Sequence, residues 1–337
     1  MKSSQVTIKD IAKALSVSPS TVSRALKDHP DISPETKQAV NDLAKELNYH
    51  PNMVALGLRK NKTFTIGIIV PELVHFFFST VVSGIEDIAY SKGYNVIICQ
   101  SKESYDREVI DVRALTNMRV DGLLASISKE TTKYEHFQEI LDDEIPLVLF
   151  DRVTHQLNTS KVIVDDYNGA FKAVQHLLDL GRKRVVHIAG PENLLISRER
   201  LRGYRDALEK NGIAVDKELI MEGGESDYKA IKERTINFLQ SGHKFDAIFG
   251  NNDMAALGAM LAVKEHGLKI PEDVAIVGYS DWQFSSLVEP QLTTVSQSGF
   301  EMGQEAAKML IEEIESKEPT TPKIKTIKTQ LIKREST

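Results

Sequence analysis

The chain has 337 residues, 41% of them hydrophobic, and a formal charge of −6. That length exceeds one small domain and allows two or three, each with a sizeable core. A single cysteine, Cys99, excludes an internal disulfide framework, and no apolar run is long enough for a signal peptide or a membrane span, so a cytoplasmic protein without a membrane partner is expected.

Residues 7–26, TIKDIAKALSVSPSTVSRAL, predict two short helices joined by a tight turn. Thr7 is placed to cap the first, and Ile8, Ile11, Ala12 and Leu15 share one face. Ser18 caps the second, with Pro19 at its first position, where a missing N–H costs nothing. Val22, Ala25 and Leu26 then face inward and leave Pro19, Ser20, Thr21, Ser23 and Arg24 outward, the arrangement of a helix-turn-helix whose second helix enters a major groove. A third helix is expected from Pro34 to about Asn48, with Ser33 as its cap and Val40, Leu43, Ala44 and Leu47 closing a core. The charge supports nucleic-acid contact here: residues 1–62 hold ten basic and six acidic residues, the remainder 32 and 42.

From Phe64 the pattern changes. Strand-like runs at 64–70, 94–100, 120–126, 146–150, 161–166, 184–190, 246–253 and 274–280 alternate with helical periodicity near 77–92, 105–118, 133–142, 169–180, 198–211, 228–241 and 253–267. Such alternation predicts parallel sheets flanked by helices. About nine strands in a body of roughly 270 residues predict two α/β lobes rather than one sheet. Ligands bind at the carboxyl ends of such strands. Those ends carry Pro71 to Phe78, Gln100-Ser101, Asp151-Arg152, Asp165-Asp166, Gly190-Pro191, Asn251-Asn252-Asp253 and Ser280-Asp281-Trp282. Carboxylates, amides, arginine and aromatic rings together suit a polar ligand between lobes. A carbohydrate fits, its hydroxyls taking bidentate partners and its faces taking aromatic platforms.

Taken in order, VTIKDIAKALSVSPSTVSRAL, ISPETKQAVNDLAKELNYHPN, TIGIIVP with FFFS, VDGLL, Asp151-Arg152, RERLRGY, NNDMAALGAM, VAIVGYSD, LTTVSQ and LIKREST resemble the LacI/GalR family of bacterial transcriptional regulators over essentially the whole chain. The resemblance implies an all-α helix-turn-helix headpiece (1–50), a hinge helix and linker (51–63) and an α/β core (64–337). The core would be periplasmic-binding-protein-like, made of two doubly wound parallel-sheet lobes. Three crossings would give one lobe about 64–165 and 297–325, and the other about 166–296 and 326–337. The implied function is that of a sequence-specific DNA-binding regulator, a repressor, acting as a homodimer on a pseudo-palindromic operator. A small polar effector in the cleft, a sugar or sugar derivative, would control it, with no cofactor and no metal.

Carried over residue by residue, Pro19, Ser20 and Arg24 match the positions that read base edges, with Arg24 either donating to guanine or clamping a phosphate. Thr7, Ser18, Thr21 and Ser23 match caps and phosphate contacts. Asn52 falls in the hinge helix, and Leu58 matches the leucine wedged into the minor groove. Effector contacts are implied for Phe77, Phe78, Arg152, Arg200, Asn252, Asp253, Asp281, Trp282 and Gln297. Of the two phenylalanines one is expected to face the ligand; Trp282 either stacks on the ligand or packs beneath its loop. The sequence departs from the family at Ser16, where glycine is usual in the turn, at His75-Phe76, in place of Asn-Pro, and at Ser280, where many members have Asp.

No metal-ligand spacing, nucleophile elbow or phosphate-binding glycine loop appears, so catalysis is not expected. The competing reading, a sugar-binding transport or sensor protein with an unrelated helical extension, would require export.

Overall fold

The computed structural model describes residues 6–49, 62–74, 76–222 and 228–337. The hinge helix expected at 51–63, with Asn52 and Leu58, lies outside the described residues apart from its last two positions, and so does His75. The chain divides into two compact units at Thr63/Phe64.

The first unit contains α1 (Ile8–Ala14), α2 (Pro19–Ala25) and α3 (Pro34–Glu46). Thr7 and Asp10 bracket the start of α1, the Asp10 carboxylate accepting from both the Thr7 N–H (2.8 Å) and its hydroxyl (2.7 Å). Ser18 Oγ accepts the Thr21 N–H at 3.1 Å and Ser33 Oγ the Thr36 N–H at 3.3 Å, each with proline in the next position. Ile11, Ala12, Val22, Ala25, Val40 and Ala44 form the buried core. Helix α3 stops short of Asn48, which takes φ 47° and turns the chain in the left-handed region that asparagine tolerates. The turn between α1 and α2 has φ 55° at Ser16, so the serine there carries the strain, about 1 kcal/mol, that glycine would avoid.

The second unit begins with β1 (Thr65–Val70), α4 (Phe76–Ser91), β2 (Asn95–Gln100), α5 (Tyr105–Asn117), β3 (Gly122–Ala125), α6 (Glu135–Asp142), β4 (Leu147–Phe150) and β5 (Ser160–Val164). It continues with α7 (Asp166–Asp179), β6 (Val185–Ala189), α8 (Leu195–Lys210), β7 (Ile220–Glu222), α9 (Tyr228–Gln240), β8 (Ala247–Gly250), α10 (Asp253–Glu265), β9 (Ala275–Ser280) and β10 (Thr293–Ser296). Last come α11 (Gly299–Glu315), β11 (Ile324–Ile327) and β12 (Gln330–Ile332).

Two six-stranded sheets result. The first has the order β11-β5-β4-β3-β1-β2 and is wholly parallel; the second has the order β12-β10-β9-β8-β6-β7, with β12 antiparallel to β10. Alternation along β1 sends Ile66, Ile68 and Val70 to the face under α4 and α11, and Ile69 to the face under α5 and α6. In the second lobe α7 and α8 cover one face, with Tyr204 and Phe249 in its core, and α9 and α10 cover the other. Helices α4 and α11 cross closely at Gly84 and Gly303, where any Cβ would overlap the Phe300 or Val81 carbonyl oxygen.

The chain passes between lobes at Asp165, at Gln297-Ser298 and at Lys328-Thr329. The last passage lies slightly beyond the expected residue 325, because Ile324–Ile327 still pairs with Lys161–Val164. The described residues form twelve strands, against the eight runs named from the sequence and the nine or so expected. The additional ones, β7, β10, β11 and β12, are three or four residues long, and β11 is largely exposed, so they lack the sustained apolar run that marks a buried strand.

Candidate functional site

Parallel strands direct their carboxyl ends, and the loops that follow, toward the space between the lobes. A cavity of about 330 Å³ lies there, lined from the first lobe by Glu72, Val74, Phe77, Phe78, Glu103, Lys129, Asp151 and Arg152. The second lobe supplies chiefly Leu194, Ile196, Ser197, Arg200, Asn251, Asn252, Met254, Ser280, Trp282 and Gln297.

Both phenylalanines at the start of α4 line the cavity, their rings 5.5 Å apart and tilted by 66°, and both are buried. Trp282 joins the lining and makes an edge contact with Phe284. Arg152 stands 5.5 Å from the Phe78 ring and donates to both oxygens of Glu103, at 2.9 and 2.7 Å. Arg200 is 3% exposed. It donates to Asp166 at 2.7 Å and to the Asn251 carbonyl at 2.7 Å, while lying 3.9 Å over the Tyr279 ring. Asn252 uses its side-chain oxygen to cap α10, accepting from the Ala255 N–H at 2.8 Å. Gln297, at the second crossing, accepts from the Ser280 hydroxyl at 2.6 Å.

Two of the expected effector ligands are corrected by the structure. Asp253 is fully buried away from the cavity lining: its carboxylate accepts from the Trp282 N–H (2.7 Å) and from the Ser285 (2.9 Å) and Thr294 hydroxyls. It braces the loop that carries Trp282. Asp281 takes φ 53°, does not line the cavity, and accepts from Arg334 at 2.7 Å. The neighbouring departure at Ser280, with φ 114°, puts a short hydroxyl on the lining where a carboxylate would otherwise project.

Asp151, Ser197 and Asn251 are absent from the contacts the resemblance implies, although Asp151 and Asn251 stand at strand ends. All three are buried on the lining, and Asp151 Oδ1, Ser197 Oγ and Asn251 Oδ1, together with Gln297 Nε2, have no hydrogen-bond partner among the described residues. The signal for Asp151 was its place beside Arg152 at the end of β4.

Burial pushes the Asp151 carboxyl up to about 6, opposed by Arg152 and assisted by Asp166. Between its ordinary value of 3.8 and about 6 the folded core keeps a proton that the unfolded chain has lost. Stability therefore falls as pH rises through that window. Asp151→Asn is expected to remove this contribution, making the variant more stable by about 1–3 kcal/mol at pH 7, with the difference vanishing toward pH 4. Urea unfolding of both proteins across that range measures it.

In the first unit, Pro19, Ser20 and Arg24 of α2 are exposed, Thr21 and Ser23 partly so, and Val22 is buried. The Ser18, Ser20 and Thr21 hydroxyls are linked at 2.7 and 2.8 Å, which gives α2 a preformed polar tip.

Residues 7–52 match the profile of bacterial regulatory proteins of the lacI family, and residues 63–335 match that of periplasmic binding proteins and the sugar-binding domain of the LacI family. The chain belongs to the LacI family. Within it, catabolite control protein A of Priestia megaterium is 34% identical over 306 residues, covering 90% of this chain and 91% of that protein. The lac repressor dimer bound to operator and an anti-inducer superposes with a TM-score of 0.88 at 27% identity, over 99% of both chains. A cellobiose complex of the regulator CelR gives 0.75 at 29% identity, over 99% of this chain and all of that one. The LacI-family assignment makes the protein a DNA-binding transcriptional regulator and not an enzyme. Among the described residues, no helix is long and apolar enough to cross a membrane.

Proposed function

We propose that the protein is a repressor that reads a two-fold symmetric operator as a homodimer, and that a small carbohydrate in the cleft between its lobes sets its affinity for DNA. The observation that carries this reading is the pairing of a helix-turn-helix with an inter-lobe cavity. Polar groups of that cavity still lack partners, and aromatic rings flank them. One recognition helix covers one half-site, so symmetric reading needs two copies. The first lobe offers a surface for the second copy: edge strand β2 exposes Ile98, the helices beside it expose Tyr90 and Ile110, and Met118 is exposed just after α5. The similarity to an operator-bound repressor dimer and to a cellobiose-bound regulator supports the same assignment.

In vitro selection from a random duplex library, using the full chain, is expected to return an inverted repeat. Arg24→Ala should lose about 1–3 kcal/mol on the selected site if the guanidinium reads a base, and the loss should fall on particular positions of each half-site. Selection of an asymmetric site, or none, would overturn the reading. A ligand that lowers operator affinity must, by linkage, itself bind more weakly when operator is present. Titrations with and without the selected duplex check that reciprocity.

A further inference from the structure

The turn that carries the end of β9 into the cleft has a backbone its side chains do not favour. Ser280 takes φ 114° and Asp281 φ 53°, and neither is glycine. Such conformations persist only where the surroundings over-determine them. Ser280 and Trp282, on either side of Asp281, line the cavity, and Asp281 does not.

The surroundings that fix this turn come from residues 330–337. β12 pairs with β10, and Arg334 follows it directly. The Arg334 N–H donates to the Thr293 hydroxyl at 2.8 Å, while its guanidinium donates to the Leu292 carbonyl at 2.8 Å and to Asp281 at 2.7 Å. Two residues on, Ser336 is fully buried; its hydroxyl accepts the Thr293 N–H at 2.8 Å and donates to the Ile276 carbonyl at 2.6 Å. Arg334 is thus anchored by β12 on one side and by Ser336 on the other. Its bond to Asp281 is charge-assisted and mostly withdrawn from solvent, with the side chains 16% and 26% exposed. The turn has two backbone supports of its own, since Thr294 Oγ1 accepts the Asp281 N–H at 3.3 Å and Asp253 accepts the Trp282 N–H at 2.7 Å. Among the described residues, Arg334 is the sole hydrogen-bond partner of the Asp281 side chain. The same turn meets two lobe crossings: Ser280 donates to Gln297 at the second, and β12, which leads to Arg334, leaves the third at Lys328-Thr329.

We infer that Arg334 is a positioning residue for the cleft. Without lining the cavity, it holds the Ser280–Asp281 turn in its disfavoured form and so sets where the Ser280 hydroxyl and the Trp282 ring stand against a bound molecule. This deepens the proposed reading and rests on it only for the use of the cleft.

Trp282, the chain's sole tryptophan, makes the turn visible without any ligand. In the full-length protein, Arg334→Met is expected to keep its far-ultraviolet circular dichroism while the Trp282 emission moves to the red and the acrylamide quenching constant at least doubles. Arg334→Lys retains a charge for Asp281 but not the fork that also reaches Leu292, and should recover part of both changes. Glu335→Gln is the control: it alters the adjacent side chain, which accepts the Gln291 N–H, and should leave emission and quenching as in the wild type. A folded Arg334→Met with wild-type emission and quenching, even at a lower urea midpoint, would overturn the inference, because the arginine would then brace the lobe without placing the turn. Equal changes in Arg334→Met and Glu335→Gln would also overturn it, as a general loosening of residues 330–337. Should Arg334→Met not fold, Asp281→Asn keeps the side chain's size and its tolerance of the left-handed region, and should give the same changes in smaller measure. Their absence there would overturn the inference as well. Every readout is taken without operator, so failure to select a symmetric site would remove the regulator reading and leave the role of Arg334 standing.

Discussion

Arg200→Met is expected to destabilise the core by about 3–5 kcal/mol, because it leaves the Asp166 carboxylate buried without its partner. Burial already raises Asp166 above the usual carboxylate range, and Arg200 is the main influence holding it down. The same substitution removes the donor to the Asn251 carbonyl and the cation over the Tyr279 ring. Arg200→Met with Asp166→Asn should recover a large part of the loss, since both members of the pair are then uncharged. Urea unfolding of the wild type, both single variants and the double variant closes a double-mutant cycle, with a coupling expected well above 1 kcal/mol. A coupling near zero would show that the arginine is not tied to Asp166 in solution. The residue therefore cannot be tested as an effector ligand by alanine substitution alone.

Asp253→Ala is expected to cost about 2–4 kcal/mol, and its effect should be local to the second lobe. Its carboxylate joins three segments of chain, accepting from Trp282, Ser285 and Thr294, and a Cβ at Gly278 would overlap Oδ1. Without it the Trp282 N–H and two hydroxyls lose their acceptor in a buried setting. Trp282 is the chain's only tryptophan and is 8% exposed, so its fluorescence reports on the loop directly. A red-shifted emission in the folded variant, together with a lower urea midpoint, is the expected result. Unchanged emission and midpoint would mean that the loop holds itself.

The part of the fold governed by local chemistry was readable in the sequence. Ser18 and Ser33 stand before prolines, the sets Ile8/Ile11/Ala12/Leu15, Val22/Ala25/Leu26 and Val40/Leu43/Ala44/Leu47 each follow helical spacing, and β1, β4 and β8 are apolar runs with no competing signal. Phe77, Phe78, Arg152, Asn252 and Trp282, which follow strand ends, line one cavity together with Arg200 and Gln297, which only the family resemblance implied. What the sequence withheld were the partners of charged groups. Asp253 and Asn252 are neighbours at the start of α10, yet Asn252 lines the cavity and Asp253 turns inward to donors 29 to 41 residues away. Asp281 meets Arg334 across 53 residues, and Glu103 meets Arg152 across 49. Nothing in local spacing encodes such pairs, because tertiary packing alone decides which carboxylate reaches which guanidinium.

The three passages between lobes also dictate how the chain matures as it is synthesised. Five of the six strands of the first lobe are made before residue 165, but α11, which covers one face of their sheet, begins at Gly299, and the edge strand β11 starts at Ile324. The second lobe in turn waits for β12, made after β11. A bond such as that from Ser160 to Glu313 joins residues 153 apart. The lobes thus cannot complete themselves one after the other on the ribosome, and until late in translation the nascent core exposes apolar sheet and an open edge, the surfaces that chaperones hold. The three-helix unit, whose core closes within residues 6–49 through local contacts, has no such delay. The segment that reads DNA therefore folds early, well before the core that is to govern it exists.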